Sequence, residues 1–525
     1  MKLNRNVIYL SVILLINIII LAFSVYGFPI RFEENDDIIM CLIANGEYSG
    51  TPDCHLVFIN ALFGSLLACL YKIFPAFEWY TISFCILHVV SMTCVVYLLI
   101  KKKNLNTTYK LIWLSFFYVI WIRMLMTLQF TTTAGISAVA GCWLMCHETR
   151  KTKIIGGILI IIASMLRFQV VGLVVLLFIP LFIYQFKLKY KQYIPLILIG
   201  TLVLIIKFSD NFFYQSPEWK YYKQYNQIRG QLNDNPNAHK LDVNFEWPNG
   251  VKRADYEMLL SFMADPTILD LEALKIISGE VKRTSLQNKI QNVSKLRLYL
   301  TITLLMISSM ALLSLNASKT KKVYLVASLL LFCLVAIGIS LNGTLKNRVF
   351  LCMLLSIMIG CYHVATLDNN KRFLTLCLLG VIMLMNGRYV KQIHNAHKTV
   401  ERKITYWNEI STLLEKMPDD GYRITSTGAD MMLEGMSIFK VKIPNYSILG
   451  LGWLTSIPFN AEIFNSYRDF TRNNIHILTP NNETSIQRVQ SSIQNNYFIN
   501  TSEEILAKSE HYKIIKLIPD ISDNK

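Results

Sequence analysis

The 525-residue sequence is poor in acidic residues: 35 aspartates and glutamates stand against 52 lysines and arginines, which gives a formal charge of +17. Such an excess is one mark of proteins that bind nucleic acid. Here the basic residues stand in short clusters between long apolar runs, which is the distribution found in the cytoplasmic loops of membrane proteins. We therefore expect no nucleic-acid partner.

Several motifs are absent. The eleven cysteines include no CxxC pair and mostly lie inside apolar runs, so they predict small buried side chains and no metal site. A Walker-type glycine loop is lacking, which leaves ATP-driven transport by this chain without support. The first apolar run has no A-x-A cleavage site and is interpreted as an uncleaved first span.

Apolar residues make up 53% of the chain, and many form runs near the length of about 20 residues that crosses a bilayer. Six basic clusters separate these runs, and we take all six as cytoplasmic. The clusters are Lys2/Arg5, Lys101 to Lys103, Arg150/Lys151/Lys153, Lys187/Lys189/Lys191, Lys319/Lys321/Lys322 and Lys371/Arg372.

This assignment requires an even number of crossings between the first two clusters, although three apolar runs lie there. The weakest run, residues 56–74, is interrupted by Asn60, Gly64 and Lys72 and is predicted to lie along the outer membrane surface. Eleven predicted spans remain, with the amino terminus inside and the carboxyl terminus outside. They are 7–28, 81–100, 111–128, 130–147, 154–166, 170–186, 192–208, 297–315, 323–341, 349–366 and 373–389.

The predicted fold class is an all-α polytopic membrane protein with a small external α/β domain. Helix-like periodicity near "ITYWNEISTLLEKM" and β-rich runs such as "SIFKVKIP" and "YKIIKLIP" indicate that domain. Four regions follow from this organisation. They are a membrane module at 1–208 that includes the first external loop 29–80, an external loop domain at 209–296, further spans at 297–389 and the soluble domain at 390–525.

The first external loop, "RFEENDDIIMCLIANGEYSG", places four carboxylates directly after an apolar run: Glu33, Glu34, Asp36 and Asp37. Asp36 and Asp37 have three interpretations. One of them can be a catalytic base that deprotonates an acceptor hydroxyl. They can instead cap a helix, with Asn35 or Asp36 as N-cap, or bind a metal ion.

Arg167 lies between apolar runs of 13 and 17 residues. A charge at bilayer depth costs at least roughly 2.5 kcal/mol unless it faces an interior or aqueous site. It is a candidate clamp for the phosphate of a lipid-linked donor, or else a structural ion-pair or snorkelling residue. Lys346 and Arg348 point at the same face and are further phosphate-binding candidates, with interfacial anchoring as the alternative; Arg123 is a weaker one.

An aromatic stretch, "PEWKYYKQYNQIRGQL", follows the span at 192–208. Trp219, Tyr222 and Arg229 are candidates for binding an acceptor, because sugar rings have apolar faces that stack on aromatic side chains. The alternative is an interfacial aromatic belt or the core of the loop domain. His55 has no second ligand at a recognisable spacing and is treated as a non-metal residue.

The order of these features resembles the GT-C class of glycosyltransferases, such as the aminoarabinose and protein O-mannosyl transferases. Asp36-Asp37 match the acidic motif of that class, His55 to Phe74 its second surface helix, and Pro75 to Tyr80 the end of that helix. Arg167 matches a basic residue between two spans. The motif is Asp-Asp where that class has Asp-Glu, and Arg stands where Lys is common.

The resemblance implies transfer of a sugar from a polyprenyl-phosphate donor to an external glycan, lipid or protein acceptor, with inversion and with any divalent cation left open. The chain is also similar, in "ENDD…NGEYSGTPD", "LQFTTTAG" and the aromatic stretch, to multi-span bacterial proteins linked to surface polysaccharide synthesis. Two other functions remain open. An oligosaccharide repeat-unit polymerase handles the same class of lipid-linked sugar, and a carrier or flippase moves it without chemistry.

Overall fold

A computed structural model describes residues 5–102, 105–147, 149–187, 189–235, 238–241, 245–283, 292–315, 317–365, 372–427, 430–472, 474–481 and 484–520. Lys2, Lys103 and Lys371, which contributed to the basic clusters, lie outside these ranges. The helices are α1 (Arg5–Gly27), α2 (Asn35–Asn45), α3 (Ala61–Ile73), α4 (Trp79–Lys101), α5 (Thr107–Met126), α6 (Phe130–Met145), α7 (Arg150–Phe186), α8 (Ile194–Phe213), α9 (Pro217–Asn233), α10 (Arg253–Leu260), α11 (Leu271–Arg283), α12 (Leu300–Leu315), α13 (Lys319–Asn342), α14 (Asn347–Val364), α15 (Arg372–Glu415) and α16 (Ser485–Tyr497). The strands are β1 (Arg31–Phe32), β2 (Thr127–Leu128), β3 (Arg423–Ser426), β4 (Ser447–Ile448), β5 (Ile475–Pro480), β6 (Thr501–Lys508) and β7 (Tyr512–Pro519).

The polytopic α-helical class is confirmed. Within the described residues, eight helices are long and apolar enough to cross a membrane: α1, α4, α5, α7, α8, α12, α13 and α14. The predicted span 130–147 corresponds to α6, a shorter helix of 16 residues whose side chains are all buried among other helices. The predicted span 373–389 forms the first part of α15, a helix of 44 residues.

The helix α7 is a hairpin with Arg167 at its tip. Arg167 has non-helical backbone angles (φ −157°, ψ 91°) within this 37-residue helix. The amine of Lys153 lies 5.7 Å from the ring centroid of Phe186, although these residues are 33 positions apart. A continuous helix would separate them by about 50 Å, so the chain reverses at Arg167 and the two predicted spans 154–166 and 170–186 are its arms.

The helix α3, within the run predicted not to span, begins and ends at the same end of the bundle. The backbone N–H of Ala61 donates to Asp210 at the end of α8, and the N–H of Asn60 donates to the carbonyl of Met165, next to the hairpin tip. At the other end of α3, the Tyr71 hydroxyl donates to Glu78, just before α4. Its 13 residues reach only about 20 Å. We call this end of the bundle, which also carries α2, the outer end.

The small α/β unit predicted at the carboxyl terminus is present. Its five-stranded sheet has the order β4-β3-β5-β7-β6. Strand β3 pairs in parallel with β4 and β5, and β7 pairs antiparallel with β5 and β6. The run "YKIIKLIP" is β7, as predicted, and α16 connects β5 to β6.

The run "SIFKVKIP" forms no strand, which is a correction to the sequence interpretation. Its apolar residues Ile438, Val441 and Ile443 are buried, whereas Phe439 is exposed, so the burial does not alternate as it would in a strand. Its backbone groups bind side chains of the helix bundle. The Thr81 hydroxyl donates to the Ile438 carbonyl, and the Asn45 amide donates to the Val441 carbonyl, at 3.1 Å. The segment therefore fastens the sheet unit to the outer end.

The two extramembrane segments predicted as separate domains lie against each other. The Asp265 carboxylate accepts hydrogen bonds from the Tyr467 N–H (2.8 Å) and the Tyr497 hydroxyl (2.6 Å). The Ser492 hydroxyl donates to Asp255 at 3.2 Å. These contacts join residues near α10 to the C-terminal unit, so both segments cover the outer end together.

Candidate active site

The acidic loop forms the start of α2. The N-cap position is Glu34, whose side chain makes no capping hydrogen bond, and Asp36 and Asp37 lie in the first turn. The prediction that Asn35 or Asp36 is the N-cap residue is therefore wrong. Carboxylates in a first turn are still favoured by the helix dipole. The helix ends at Gly46, whose φ of 92° suits glycine.

Asp37 is a buried carboxyl that holds other elements in place. Its side chain is fully buried, and one oxygen accepts hydrogen bonds from the Tyr80 hydroxyl (2.8 Å) and the Phe130 N–H (3.2 Å). These two residues start α4 and α6. Burial raises the pKa of Asp37 well above its ordinary value. A fully buried acid that already holds two elements in place is suited to positioning and has no access to a substrate proton.

Asp36, in contrast, is partly exposed. Burial and the negative charge of Glu34 raise the pKa of Asp36, and the positive charges of Arg348, Arg167 and Arg229 lower it, with a net value of about 6. A carboxylate with this pKa is largely ionised at pH 7 and is still a better base than an exposed aspartate. The structure thus separates the two aspartates, which the sequence left equivalent.

Arg167 lies at the outer end, beside both aspartates. Its guanidinium is 5.2 Å from the ring centroid of Phe130 and 5.9 Å from that of Phe58. Within the part of the chain that the structure describes, the Arg167 guanidinium has these ring contacts and no hydrogen-bond acceptor. The planar fork of donors is therefore open to a ligand.

Lys346 and Arg348, the second pair of basic candidates, lie in different environments. Arg348, in the first turn of α14, forms an ion pair with Glu34, and its charge acts on Asp36. Lys346 is exposed at the N-cap of α14. Only Arg348 is brought to the carboxylates. Glu33 also lies in this group, between the charges of Arg348 and Arg123, and burial raises its pKa.

The aromatic stretch is largely packed into the protein. Tyr222 is fully buried and its hydroxyl donates to the Trp453 carbonyl at 2.9 Å. Trp219 is also buried and lies flat on His55, with ring centroids 4.4 Å apart. These contacts favour packing over stacking on an acceptor sugar. Arg229 is buried, held by Asn226 and Asn233, and its charge acts on Asp36.

His55 is an ionic anchor. One ring nitrogen donates to the Asp53 carboxylate (2.7 Å) and the other to the Phe213 carbonyl (2.8 Å). Burial lowers the pKa of His55, but the hydrogen bonds to Asp53, Cys54 and Phe213 outweigh it and raise the pKa to about 10. Asp53, Cys54 and His55 stand close enough to hold a metal ion. An imidazolium that donates from both nitrogens has no lone pair for one.

Three residues near the candidate site were not identified from the sequence: Tyr80, Glu434 and Phe58. Tyr80 stands in "FPAFEWY", a segment that matched the family pattern without a role for its tyrosine. Glu434, from the C-terminal unit, is buried in an ion pair with Lys403, and the charge of Asp36 contributes to raising the pKa of Glu434. Phe58 faces Arg167. No sequence pattern marks Phe58 or Glu434, because both arrive by tertiary packing.

The fold and site define a polytopic helical membrane protein with an ionisable carboxylate and several arginines at one end of its bundle. This arrangement can take a proton from a hydroxyl and hold an anion beside it. At the opposite end, the Lys102 amine binds the last carbonyls of α14, including those of His363 and Ala365, both at 2.7 Å. The basic clusters at Lys101 and Lys153 lie at that end too, away from the site.

Comparison with solved structures finds ArnT from Cupriavidus metallidurans, in its apo state and bound to undecaprenyl phosphate. The apo structure has a TM-score of 0.42 and 10% identity over 98% of both chains; the bound one has the same score and identity over 96% of this chain and 97% of ArnT. No family model matches the chain, and no curated protein matches it.

Proposed function

We propose that the chain is a membrane glycosyltransferase that moves a sugar from a polyprenyl-phosphate carrier to a glycan, lipid or protein acceptor at the outer face of the bacterial cytoplasmic membrane. The observation that carries the proposal is the setting of Asp36. This partly exposed carboxylate has a pKa of about 6 and feels the charges of Arg348, Arg167 and Arg229. A base beside an anion site is what the transfer requires.

In the proposed reaction, Asp36 accepts the proton of the acceptor hydroxyl as the acceptor oxygen bonds to the anomeric carbon. The bond from that carbon to the phosphate oxygen breaks, and polyprenyl phosphate leaves with the electron pair. Arg167 stabilises the charge that develops on this phosphate. A single displacement of this kind inverts the anomeric centre, in line with the resemblance.

A lipid-linked donor suits the position of Arg167. The arms of α7 expose apolar side chains, among them Ile158, Ile179 and Ile183, and the hairpin tip carries the arginine. A polyprenyl chain can lie along such a surface while its phosphate reaches the tip. A soluble nucleotide-sugar has no need of a site next to the hydrocarbon region.

The proposal is tested by comparing the lipid-linked sugars of cells with and without the gene, since deletion should cause the donor to accumulate. Purified protein should then consume that lipid when acceptor-containing membranes are added. Asp36→Asn should be slower by about 10²–10⁴-fold, while Glu47→Gln, a control further along the same loop, should match the wild type. Full turnover by Asp36→Asn would refute the assigned base, and lipid that is bound but never consumed would indicate a carrier.

A further inference from the structure

The segment from Asp53 to Phe58, between α2 and α3, contains a strained backbone. Val57 has a φ of 65°, a left-handed conformation that a β-branched residue rarely adopts. Such strain persists only where surrounding contacts hold it, and it is concentrated at functional sites. The contacts of this segment therefore indicate what the strain serves.

Two anchors tie the segment to the end of α8. The His55 imidazolium bridges Asp53 and the Phe213 carbonyl, which is in the last turn of α8, where a positive charge is favourable. The N–H of Val57 donates to the Tyr214 hydroxyl at 3.1 Å. Val57 is thus held by its own backbone hydrogen bond, and the neighbouring His55 is held by its ion pair with Asp53.

Aromatic side chains support the same segment from the extramembrane side. Trp219 lies flat on His55, with an interplanar angle of 13°. Trp453, from the C-terminal unit, packs on Phe58 with ring centroids 4.9 Å apart, and its carbonyl accepts the Tyr222 hydroxyl. The aromatic stretch of α9 therefore has a structural role, which is to support this segment.

The segment presents Phe58 to the hairpin tip. The Phe58 and Phe130 rings are nearly parallel, 6.3 Å apart with an angle of 4°, and the Arg167 guanidinium lies near both. A cation–π contact with a ring does not use the N–H donors of the guanidinium in hydrogen bonds to the ring, so they can still donate to a ligand.

We propose that Asp53–Phe58 is a strap that holds Phe58 against Arg167 and so aims the guanidinium at the phosphate of the lipid-linked donor. Phe58, Val57 and His55 are positioning residues, since they act through Arg167. The inference rests on the proposed function, because its ligand is the donor phosphate. Fixing a long side chain before binding reduces the entropy lost when the ligand arrives, so the strap raises affinity for the phosphate.

The test measures binding of polyprenyl phosphate, the carrier without its sugar, to the purified full-length protein. Phe58→Leu removes the ring face and should raise the dissociation constant about five- to thirty-fold, while Phe58→Tyr keeps the ring and should restore binding. Val57→Gly frees the backbone and should weaken binding in the same direction. Phe77→Leu, an exposed phenylalanine of the same loop, is the matched control and should bind normally.

A double-mutant cycle shows whether the ring acts through the arginine. In an Arg167→Ala background, Phe58→Leu should cause no further loss. If Phe58→Leu weakens binding equally in both backgrounds, the strap proposal is wrong. It is also wrong if Phe58→Leu binds normally while Arg167→Ala has lost binding. If Arg167→Ala itself binds normally, the proposed phosphate site fails first, which distinguishes the two failures. A thermal midpoint of Phe58→Leu equal to that of the wild type confirms that its loss of binding is not caused by unfolding.

Discussion

The Arg348 guanidinium donates to the Glu34 carboxylate, and this ion pair joins the start of α14 to the start of α2 across 314 residues of sequence. The Glu34 side chain is 43% exposed, and exposed ion pairs contribute little to stability. The larger effect of Glu34 is electrostatic, because its charge raises the pKa of Asp36.

Glu34→Gln should therefore shift the pH dependence of activity. Transfer requires ionised Asp36, so kcat/KM of the wild type should rise with pH through a value near 6. Removing the charge of Glu34 lowers the pKa of Asp36 and moves this rise to lower pH. A pH–rate profile over the acid range measures the shift, with Glu47→Gln as the control. An unchanged acid limb would contradict the assignment of that limb to Asp36.

Substitutions at Asp37 should separate a neutral buried acid from a charged one. A raised pKa means that the folded state keeps a proton that the unfolded state loses, so this group makes stability fall as pH rises above the ordinary value of 3.8. Asp37→Asn should be at least as stable as the wild type at neutral pH and less dependent on pH.

Asp37→Ala leaves the Phe130 N–H without its acceptor and should lose about 1–3 kcal/mol. Thermal unfolding in detergent across a pH series tests both variants. If Asn is as harmful as Ala, Asp37 is ionised in the folded protein.

Arg167→Ala should weaken binding of polyprenyl phosphate about 10- to 100-fold, the usual effect of losing hydrogen bonds from a charged group. Arg167→Lys should be milder, because it keeps the charge and loses the fork of donors. Equilibrium binding and thermal unfolding should be measured on the same samples. Arg253→Ala, which removes an exposed arginine paired with Glu257, is the control. Normal binding by Arg167→Ala would leave Arg348 as the remaining candidate.

The topology is tested by cysteine labelling on a background without the eleven native cysteines. Lys72→Cys in α3 is exposed and should react with an impermeant thiol reagent from outside the cell, as should positions in 209–296 and 390–525. Lys322→Cys, in a basic cluster, should react only after the membrane is opened. Labelling of Lys72→Cys only from the cytoplasm would contradict the even number of crossings between the first two basic clusters, on which the eleven predicted spans depend.

The predictable parts of this fold are those that depend on residues close together in the sequence. Apolar runs placed the spans, and Asn60, Gly64 and Lys72 marked the run that forms the short α3. Arg167 between two apolar arms predicted the hairpin. In each case the cause is local: apolar residues are buried in lipid, or a charged residue avoids lipid, and both effects involve residues that are close in sequence.

The remainder depends on contacts between distant residues. Asp36 and Asp37 are adjacent in sequence, and only the packing of Tyr80 and Phe130 on Asp37 distinguishes their environments. For Trp219 and Tyr222 the sequence left sugar binding and packing open, because their burial depends on Phe459 and Trp453, more than two hundred residues away. The β-rich composition of "SIFKVKIP" predicted a strand that does not form, since side chains of the bundle bind its backbone groups.

The 44-residue helix α15 has a mechanical consequence. Its contacts run in sequence along the axis: Asn386 binds Ser115 in the bundle, Lys403 binds Glu434 beside the site, and Glu409 binds His511 in the sheet unit. A helix of this length measures about 66 Å, twice the hydrocarbon thickness. It thus fixes the distance between the sheet unit and the helix bundle. It also fixes the angle, because one inserted residue would turn everything beyond it by about 100° and carry Glu434 away from the carboxylates.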